Sequence, residues 1–191
     1  GERAAAVPGL LTAVAALART TGARLAWVPR RAGERGGIEA GCLPFLLPGG
    51  RPVTDAAARR RVARAWGAEP DDLPGAPGRD TAGILAALAD GSLSGLVVGG
   101  VDVRDFDNPA RVRAARDAVP FLVSLEVRAS EVTKRADVVL PVAPAVEKNG
   151  TYINWEGRLR PFGQARSATS LTDRDVCVRL TEEFDLDLGI T

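Results

Sequence analysis

The chain has 191 residues, enough for one large domain or two small ones with a core of ordinary size, and we expect one domain. Its 25 basic and 24 acidic residues leave a formal net charge of +1 and are mixed along the chain, so no basic stripe points to a nucleic acid or an anionic membrane as partner. Histidine, the commonest general base and metal ligand, is absent, and the two cysteines are too few for an iron–sulfur cluster or a Cys-rich zinc site. We therefore expect no metal site in this chain, and no residue stands out as catalytic.

The first half of the chain alternates helical patterns with apolar runs. Leucine and valine at helical spacing predict an amphipathic helix over Pro8–Thr21, and Leu25–Val28 indicates a strand. Residues 29–54 hold so many glycines and prolines that we expect an irregular surface loop, with a ligand lid as the less favoured alternative. A second helix is predicted over Asp55–Trp66, capped by Thr54 or Asp55 and with arginines on its solvated face.

The second half continues the alternation, and its strands are continuous apolar runs. That pattern is typical of a parallel sheet covered on both faces. Asn108 or Asp107 should cap the helix that begins at Pro109. Proline is tolerated at this first-turn position because its missing N–H costs nothing there. Helices are predicted over Asp80–Ala89, Pro109–Ala118 and Asp173–Phe184, one helical turn over Ser130–Arg135, and strands over Leu96–Val98, Phe121–Leu125 and Val138–Leu140.

Together these elements predict an α/β fold, with a Rossmann-like, mainly parallel sheet and helices on both faces, in a single domain over residues 1–191. We expect the strands around Leu25, Val97, Val123 and Val139 to be neighbours in that sheet. If Val139 lies in a buried strand, Val139→Asp should unfold the domain, since it would bury an unpaired carboxylate.

Ligands of such sheets bind beyond the carboxyl ends of the strands, where Gly99, Gly100 and a loop over residues 141–162 would emerge. Glycines there let the backbone approach a phosphate closely. No Gly-x-Gly-x-x-Gly motif leads into a helix, so a classical NAD site is not supported. Acidic residues at the same end of the sheet would repel a pyrophosphate; they are Asp102, Asp105 and Asp107.

The order of residues 135–160 looks set by a function. A strand should stop at Pro141, which has no N–H for a sheet ladder, and Asn149-Gly150 and Gly157 supply points where positive φ is cheap. Between the two glycines we expect an extended segment with a polar face over an apolar one. The polar face would carry Tyr152, Asn154 and Glu156, and the apolar face Ile153 and Trp155.

This region resembles the molybdopterin-dependent oxidoreductases in its Ala-Asp-Val-Val-Leu-Pro, a glutamate soon after, and Gly-Thr-x-x-Asn-x-Glu-Gly-Arg. The variant Asn-Trp-Glu-Gly-Arg-Leu-Arg-Pro-Phe is most similar to the large iron–sulfur subunits of bacterial respiratory complex I, the NADH-quinone oxidoreductase. The similarity extends through residues 96–102 and 123–126, and more weakly through residues 24–31 and 46–53.

The resemblance implies an intact subunit whose [2Fe-2S] and [4Fe-4S] clusters lie elsewhere in the polypeptide and pass electrons from NADH toward quinone. Its partners would be other subunits of the complex I peripheral arm, on the cytoplasmic side of the bacterial plasma membrane. No apolar run approaches the ~20 residues that span a bilayer, so we expect no direct membrane insertion. Methionine is absent, and we expect Gly1 to be an internal position of a longer polypeptide.

Two elements that hold the cofactor in active members of the family are altered here. Gly99-Gly100-Val101-Asp102 stands where those members have Gly-x-Asn-Pro, and Ser130-Glu131-Val132 stands where they have Thr-Glu-Thr. The resemblance therefore argues against molybdopterin in this chain. If a pocket is retained, its candidate residues are Gly99, Gly100, Gly150, Thr151, Asn154, Glu156 and Arg158.

The favoured interpretation is that Asn154, Glu156 and Arg158 form a polar network that fixes the loop, with Arg158 paired to Glu156 or Glu147. Glu156→Ala should then lower stability by about 1–3 kcal/mol. The leading functional hypothesis is a catalytically silent scaffold domain. The runner-up is a fragment of an active molybdopterin enzyme, such as a formate dehydrogenase relative, and the third is a free-standing nucleotide-binding module.

Overall fold

The computed structural model describes residues 7–28 and 33–185, along which short helices and strands alternate. The helices are α1 (Leu10–Thr21), α2 (Glu34–Glu39), α3 (Ala56–Trp66), α4 (Thr81–Ala89), α5 (Pro109–Ala118) and α6 (Asp173–Glu182). The strands are β1 (Leu46–Leu47), β2 (Arg51–Pro52), β3 (Gly95–Gly99), β4 (Phe121–Glu126), β5 (Val138–Pro141), β6 (Gly150–Ile153) and β7 (Leu159–Phe162).

A three-stranded parallel sheet in the order β3-β4-β5 organises the fold. Val97 of β3 pairs with Val123 of β4, and Ser124 pairs with Val139 of β5. The prediction that Val97, Val123 and Val139 share one parallel sheet is therefore confirmed. β5 ends at Pro141 as predicted, but the Val142 N–H still donates to the Glu126 carbonyl at 3.2 Å, so the missing N–H of Pro141 does not break the ladder with β4.

Helices flank both faces of this sheet, which confirms the α/β class. On one face α4 and α5 pack against β4 around Leu122, which has no exposed surface. On the other face Val176 of α6 packs with Leu125 and Val142. The main buried cluster on the α4 and α5 side consists of Leu88, Val103, Val112, Ala115, Val119, Leu122 and Val132.

Side-chain caps set the starts of the central helices where the sequence predicts them. Asp55 Oδ1 accepts hydrogen bonds from the N–H groups of Ala57 and Ala58 at the start of α3. Asn108 Oδ1 accepts from Arg111 N–H at 3.0 Å, with Pro109 in the first turn of α5. These bonds satisfy N–H groups that have no partner inside the helix.

The predicted strand over Leu25–Val28 is wrong. Residues 23–28 have no regular structure, and Leu25, Trp27 and Val28 are each about 60% exposed. A strand exists only where a neighbour accepts its backbone hydrogen bonds, and this segment forms no ladder with the described residues.

The expected irregular loop over residues 29–54 is also wrong in its described part, residues 33–54. The part contains helix α2 and the antiparallel pair β1-β2, and Leu47 and Val53 are buried against α3. Gly41 has φ +79°, and a Cβ on it would lie 2.6 Å from the carbonyl carbon of Leu47. This glycine marks a tight chain reversal inside a compact unit.

The expectation that Val139 is buried is wrong as well. β5 has a partner on one side among the described residues, and Val139 is 41% exposed. A carboxylate at this position would reach water, so we no longer expect Val139→Asp to unfold the domain.

Candidate functional site

A cleft of about 550 Å³ opens where β3 and β4 end, in the place where parallel sheets bind their ligands. Gly100, with φ +61° and no atom near its missing Cβ, turns the chain away from β3 at the cleft's edge. A short helical turn over Val103–Asp105 forms one wall, and the segment after β4 forms the other. The cleft is lined by Gly100, Val101, Asp102, Val103, Arg104, Glu126, Arg128, Ala129, Ser130 and Glu131.

The first charged pair of the cleft is Asp102 with Arg104. The Arg104 Nε and Nη2 atoms donate to the two carboxylate oxygens at 3.0 and 2.7 Å, and the Arg104 backbone N–H donates to Oδ1 at 3.0 Å. The guanidinium and backbone hydrogen bonds from Arg104 hold the pKa of the Asp102 carboxyl far below its usual range.

The second charged group in the cleft is Glu131, whose carboxylate is bound by arginine side chains of α5. Arg113 donates to both Glu131 carboxylate oxygens at 2.8 and 3.1 Å. Arg116 donates to the Glu131 carbonyl at 3.0 Å, and its guanidinium lies 3.5 Å from the carboxylate. Hydrogen bonds from Arg113 lower the pKa of Glu131, which therefore stays ionised at neutral pH.

The Asp102–Arg104 pair gives a testable pH response. Because the folded-state pKa of Asp102 lies below its unfolded value, the pair's contribution to stability is complete above the unfolded pKa of ~4 and is lost as the pH falls through the folded pKa. A carboxyl carbon NMR titration should find Asp102 still ionised where ordinary aspartates are half protonated. Arg104→Gln should raise this pKa toward the ordinary value, while Arg60→Gln, on the outer face of α3, should leave it unchanged. A wild-type Asp102 that titrates normally would contradict the pairing.

Residues 150–162, within the loop predicted over residues 141–162, form a β-hairpin instead of one extended segment. β6 pairs with β7, and the alternation of faces stops at Ile153, because residues 154–157 form the turn. Gly157, with φ +82°, supplies the predicted positive φ, and Gly157 N–H donates to the Asn154 carbonyl at 2.9 Å. The expected polar face through Asn154 and Glu156 and apolar face through Trp155 are therefore wrong beyond Ile153.

Asn154 holds this turn through its own side chain. Its Oδ1 accepts from the backbone N–H groups of Glu156 and Arg158 at 3.1 and 2.9 Å, and its Nδ2 donates to Glu156 Oε2 at 3.2 Å. Arg158 Nε lies 3.6 Å from the same oxygen, and Glu156 and Arg158 are both exposed. Asn154 is thus bound mainly to backbone, as expected, whereas the Glu156–Arg158 pair lies in water and adds little stability.

Position 150 requires glycine because of side-chain packing and not because of a turn. It lies in β6 without positive φ, contrary to the expectation for Asn149-Gly150. A Cβ on it would lie 2.7 Å from Cε1 of Phe162, the ring that stacks on Tyr152 at a centroid distance of 4.9 Å. The glycine lets the ring lie flat against the strand.

Gly150→Ala should therefore displace the Phe162 ring and lower stability by about 1–3 kcal/mol, the usual cost of overpacking. Gly163→Ala is the matched control, because its Cβ would meet only Asn149 Oδ1, at 4.0 Å. Urea unfolding of both variants measures the difference. Equal midpoints would show that the Phe162 ring moves aside freely.

Three consecutive polar residues before the hairpin fasten it to the following segment. Glu147 is 8% exposed, and its Oε2 accepts from the backbone N–H and the hydroxyl of Thr169 at 3.1 and 3.2 Å. Lys148 Nζ pairs with Asp173 of α6, and Asn149 Oδ1 accepts from Gln164 N–H at 2.8 Å. We call Glu147, Lys148 and Asn149 the clamp. The sequence named Glu147 only as an alternative partner of Arg158, but Glu147 binds Thr169 instead. The other contacts of the clamp were missed, although a polar triplet between an apolar run and a strand is a visible signal.

The candidate residues fall into two separate places. Gly99 and Gly100 lie at the end of β3, and Gly100 lines the cleft. Gly150, Thr151, Asn154, Glu156 and Arg158 belong to the hairpin, and none of them lines that cleft. Among residues 7–28 and 33–185, no group of three His, Cys, Asp or Glu side chains could hold a metal ion, and no helix is long and apolar enough to cross a bilayer.

Comparison with known proteins decides the family. A model of the molybdopterin oxidoreductases matches residues 9–171. The chain belongs to the molybdopterin oxidoreductase family. The resemblance seen in residues 135–160 is thereby confirmed.

The relatives compared here are much longer than the chain. It is 55% identical over 194 residues to a subunit of the NADH-quinone oxidoreductase of Mycobacterium bovis, and 53% identical over 196 residues to the same subunit from Streptomyces coelicolor. Both matches cover the whole chain and 24% and 23% of those proteins, about a quarter of their length. A Bacillus subtilis protein named "Putative formate dehydrogenase YrhE" is 35% identical over 132 residues, 69% of this chain and 13% of that protein.

Proposed function

We propose that this chain is a scaffold domain, without a cofactor of its own, in the large iron–sulfur subunit of an NADH-quinone oxidoreductase. Identity of 55% over the whole chain to a subunit of a mycobacterial NADH-quinone oxidoreductase supports this assignment. Electrons would pass from NADH toward quinone through iron–sulfur clusters in other parts of the polypeptide. Residues 1–191 would act as one domain that holds those parts and neighbouring subunits in place.

The charge arrangement of the cleft carries the cofactor-free part of the proposal. A molybdopterin dinucleotide would place its pyrophosphate near the carboxyl ends of the strands, where a phosphate needs cations or free N–H groups. Here Arg104 is bound to Asp102, and Arg113 and Arg116 are bound to Glu131. Arg128 lines the same cleft and has no ion pair with the described residues, so one free cation faces the carboxylates of Asp102, Glu126 and Glu131. These residues do not fit a pyrophosphate.

The hairpin supports the same conclusion. Asn154 satisfies its oxygen and one N–H within the turn, and the clamp residues bind protein groups. These bonds support a structural role for Asn154 and Glu147, two polar residues of the motif.

Two observations favour a second candidate, a piece of an active molybdopterin enzyme. They are the open 550 Å³ cleft and the similarity to the Bacillus protein.

Metal and pterin analysis of the intact protein that contains this chain separates the two candidates. Purified protein should contain iron and acid-labile sulfide but no molybdenum or tungsten, and oxidation should release no fluorescent pterin. Stoichiometric molybdenum or tungsten with a pterin would establish the second candidate.

The partners and the location belong to the same proposal. We expect the intact protein to copurify with other subunits of a complex I peripheral arm, on the cytoplasmic side of the bacterial plasma membrane.

A thermal-shift screen of the 191-residue chain with nucleotides should show no stabilisation, and a clear shift would favour the free-standing nucleotide-binding module instead.

A further inference from the structure

The outer edge of β3 carries backbone groups without a sheet partner. Among the described residues, β3 pairs with β4 alone. Gly100 N–H donates to the Leu125 carbonyl at 3.1 Å, so alternation along the strand directs the backbone groups of Leu96 and Val98 toward β4. The N–H and C=O groups of Val97 and Gly99 therefore point away from the sheet, toward the open edge.

This edge lacks the features that protect ordinary edges. Proteins usually blunt an exposed strand with charge, proline or a bulge. β3 reads Gly-Leu-Val-Val-Gly, pairs with β4 in regular register, and carries neither charge nor proline. Val97, at its centre, is 65% exposed.

The surroundings of the edge are apolar. A cavity of about 270 Å³ lies between α4 and β3, and most of its lining is aliphatic, with Thr81 and Arg116 as the polar side chains. On the sheet face that carries Val97, Phe121 is 49% and Val138 is 38% exposed. Apolar side chains beside a row of backbone donors and acceptors fit an extended strand with apolar residues at alternate positions.

We infer that the β3 edge receives such a strand from a part of the longer polypeptide outside residues 1–191. The chain covers about a quarter of its NADH-quinone oxidoreductase relatives, so proteins of this kind have ample further sequence to supply a strand. The added strand extends the sheet to at least four strands, covers Val97 and closes the apolar cavity. This inference rests on the proposed placement of the chain within a longer polypeptide, but not on the electron-transfer role of that polypeptide.

Hydrogen–deuterium exchange resolved to single residues tests the inference, with the 191-residue chain and the intact protein compared under the same conditions. In the short chain the amides of Leu96 and Val98 should be protected, and those of Val97 and Gly99 should exchange freely. In the intact protein all four should be protected, with Val97 and Gly99 slowed by at least about tenfold relative to the short chain.

Each other outcome overturns the inference in its own way. Protection of Val97 and Gly99 in the short chain that does not depend on concentration would assign the edge to another segment of residues 1–191. Protection that rises with concentration would assign it to a second copy. Free exchange in the intact protein would mean that the edge stays open.

Two proline variants separate the outward groups from the sheet itself. Val97→Pro removes an outward N–H, so the short chain should keep its urea midpoint, while Gly99 loses its protection in the intact protein. Val98→Pro removes an N–H that β4 uses and should lower the midpoint of the short chain. Full protection of Gly99 in intact Val97→Pro protein would count against a strand at this edge.

Discussion

Leu122→Asp is expected to unfold the parallel sheet. Leu122 lies in the central strand β4 and has no exposed surface, between the neighbouring strands and the helices α4 and α5. The substitution loses about 1.5–3 kcal/mol of side-chain burial. Burying a carboxyl group without a partner costs about as much again or more, even if the group protonates. Against a total stability of roughly 5–15 kcal/mol, the folded state should no longer dominate.

Val139→Asp is the matched control for this loss. It places the same side chain on β5 of the same sheet, at a position that is 41% exposed. Far-UV circular dichroism and urea unfolding should show a cooperative transition for Val139→Asp and none, or one at much lower urea, for Leu122→Asp. Leu122→Ala, with an expected loss of about 2–5 kcal/mol, keeps the comparison quantitative. Equal midpoints for the two aspartate variants would mean that the sheet is not the core of the fold.

The parts of the fold that the sequence predicts well have local causes. Helix α3 starts after Asp55 and α5 after Asn108, because each cap residue binds N–H groups two or three positions ahead. Such features depend on neighbours in the chain, so the sequence displays them directly.

The errors occur where distant residues decide the structure. Leu25–Val28 has the composition of a strand, but a strand also needs a partner, and composition does not show which partners are present. Val139 has the side chain of a buried position, yet its exposure depends on what lies beside β5. The sequence did not predict the hairpin turn at Asn154, because the alternation of polar and apolar residues in Tyr152–Glu156 fits an extended segment equally well.

The candidate site shows the same division. The sequence locates the end of β3 and the Gly150–Arg158 region, and its altered Gly-x-Asn-Pro element anticipates a carboxylate in the cleft. It does not reveal that Asp102 is neutralised by Arg104, two residues away, or that Glu131 is held by Arg113 and Arg116 on another element. The Glu131 contacts join separate elements and therefore depend on packing, which periodicity cannot show, whereas the Asp102–Arg104 pair is local and was overlooked.

Glu147→Ala is expected to lower stability by about 1–3 kcal/mol, because it removes a hydrogen-bonded carboxylate that is 8% exposed. The change leaves the Thr169 N–H and hydroxyl without their partner and loosens the segment that leads into α6. Lys148 and Asn149 continue to hold Asp173 and Gln164, so the loss should be partial, with a lower urea midpoint and a cooperative transition.

Glu156→Ala removes the same side chain nine positions further along, where it is exposed. Its Oε2 lies 3.6 Å from Arg158 Nε, in water. The sequence alone predicts a loss of stability of about 1–3 kcal/mol, but for an exposed pair we now expect no measurable change. Asn154 still holds the turn through its contacts with the backbone N–H groups of residues 156 and 158. If Glu147→Ala unfolds at the wild-type urea concentration while Glu156→Ala is destabilised, the clamp is not what fixes this region, and the glutamate of the hairpin turn takes its place as the structural residue.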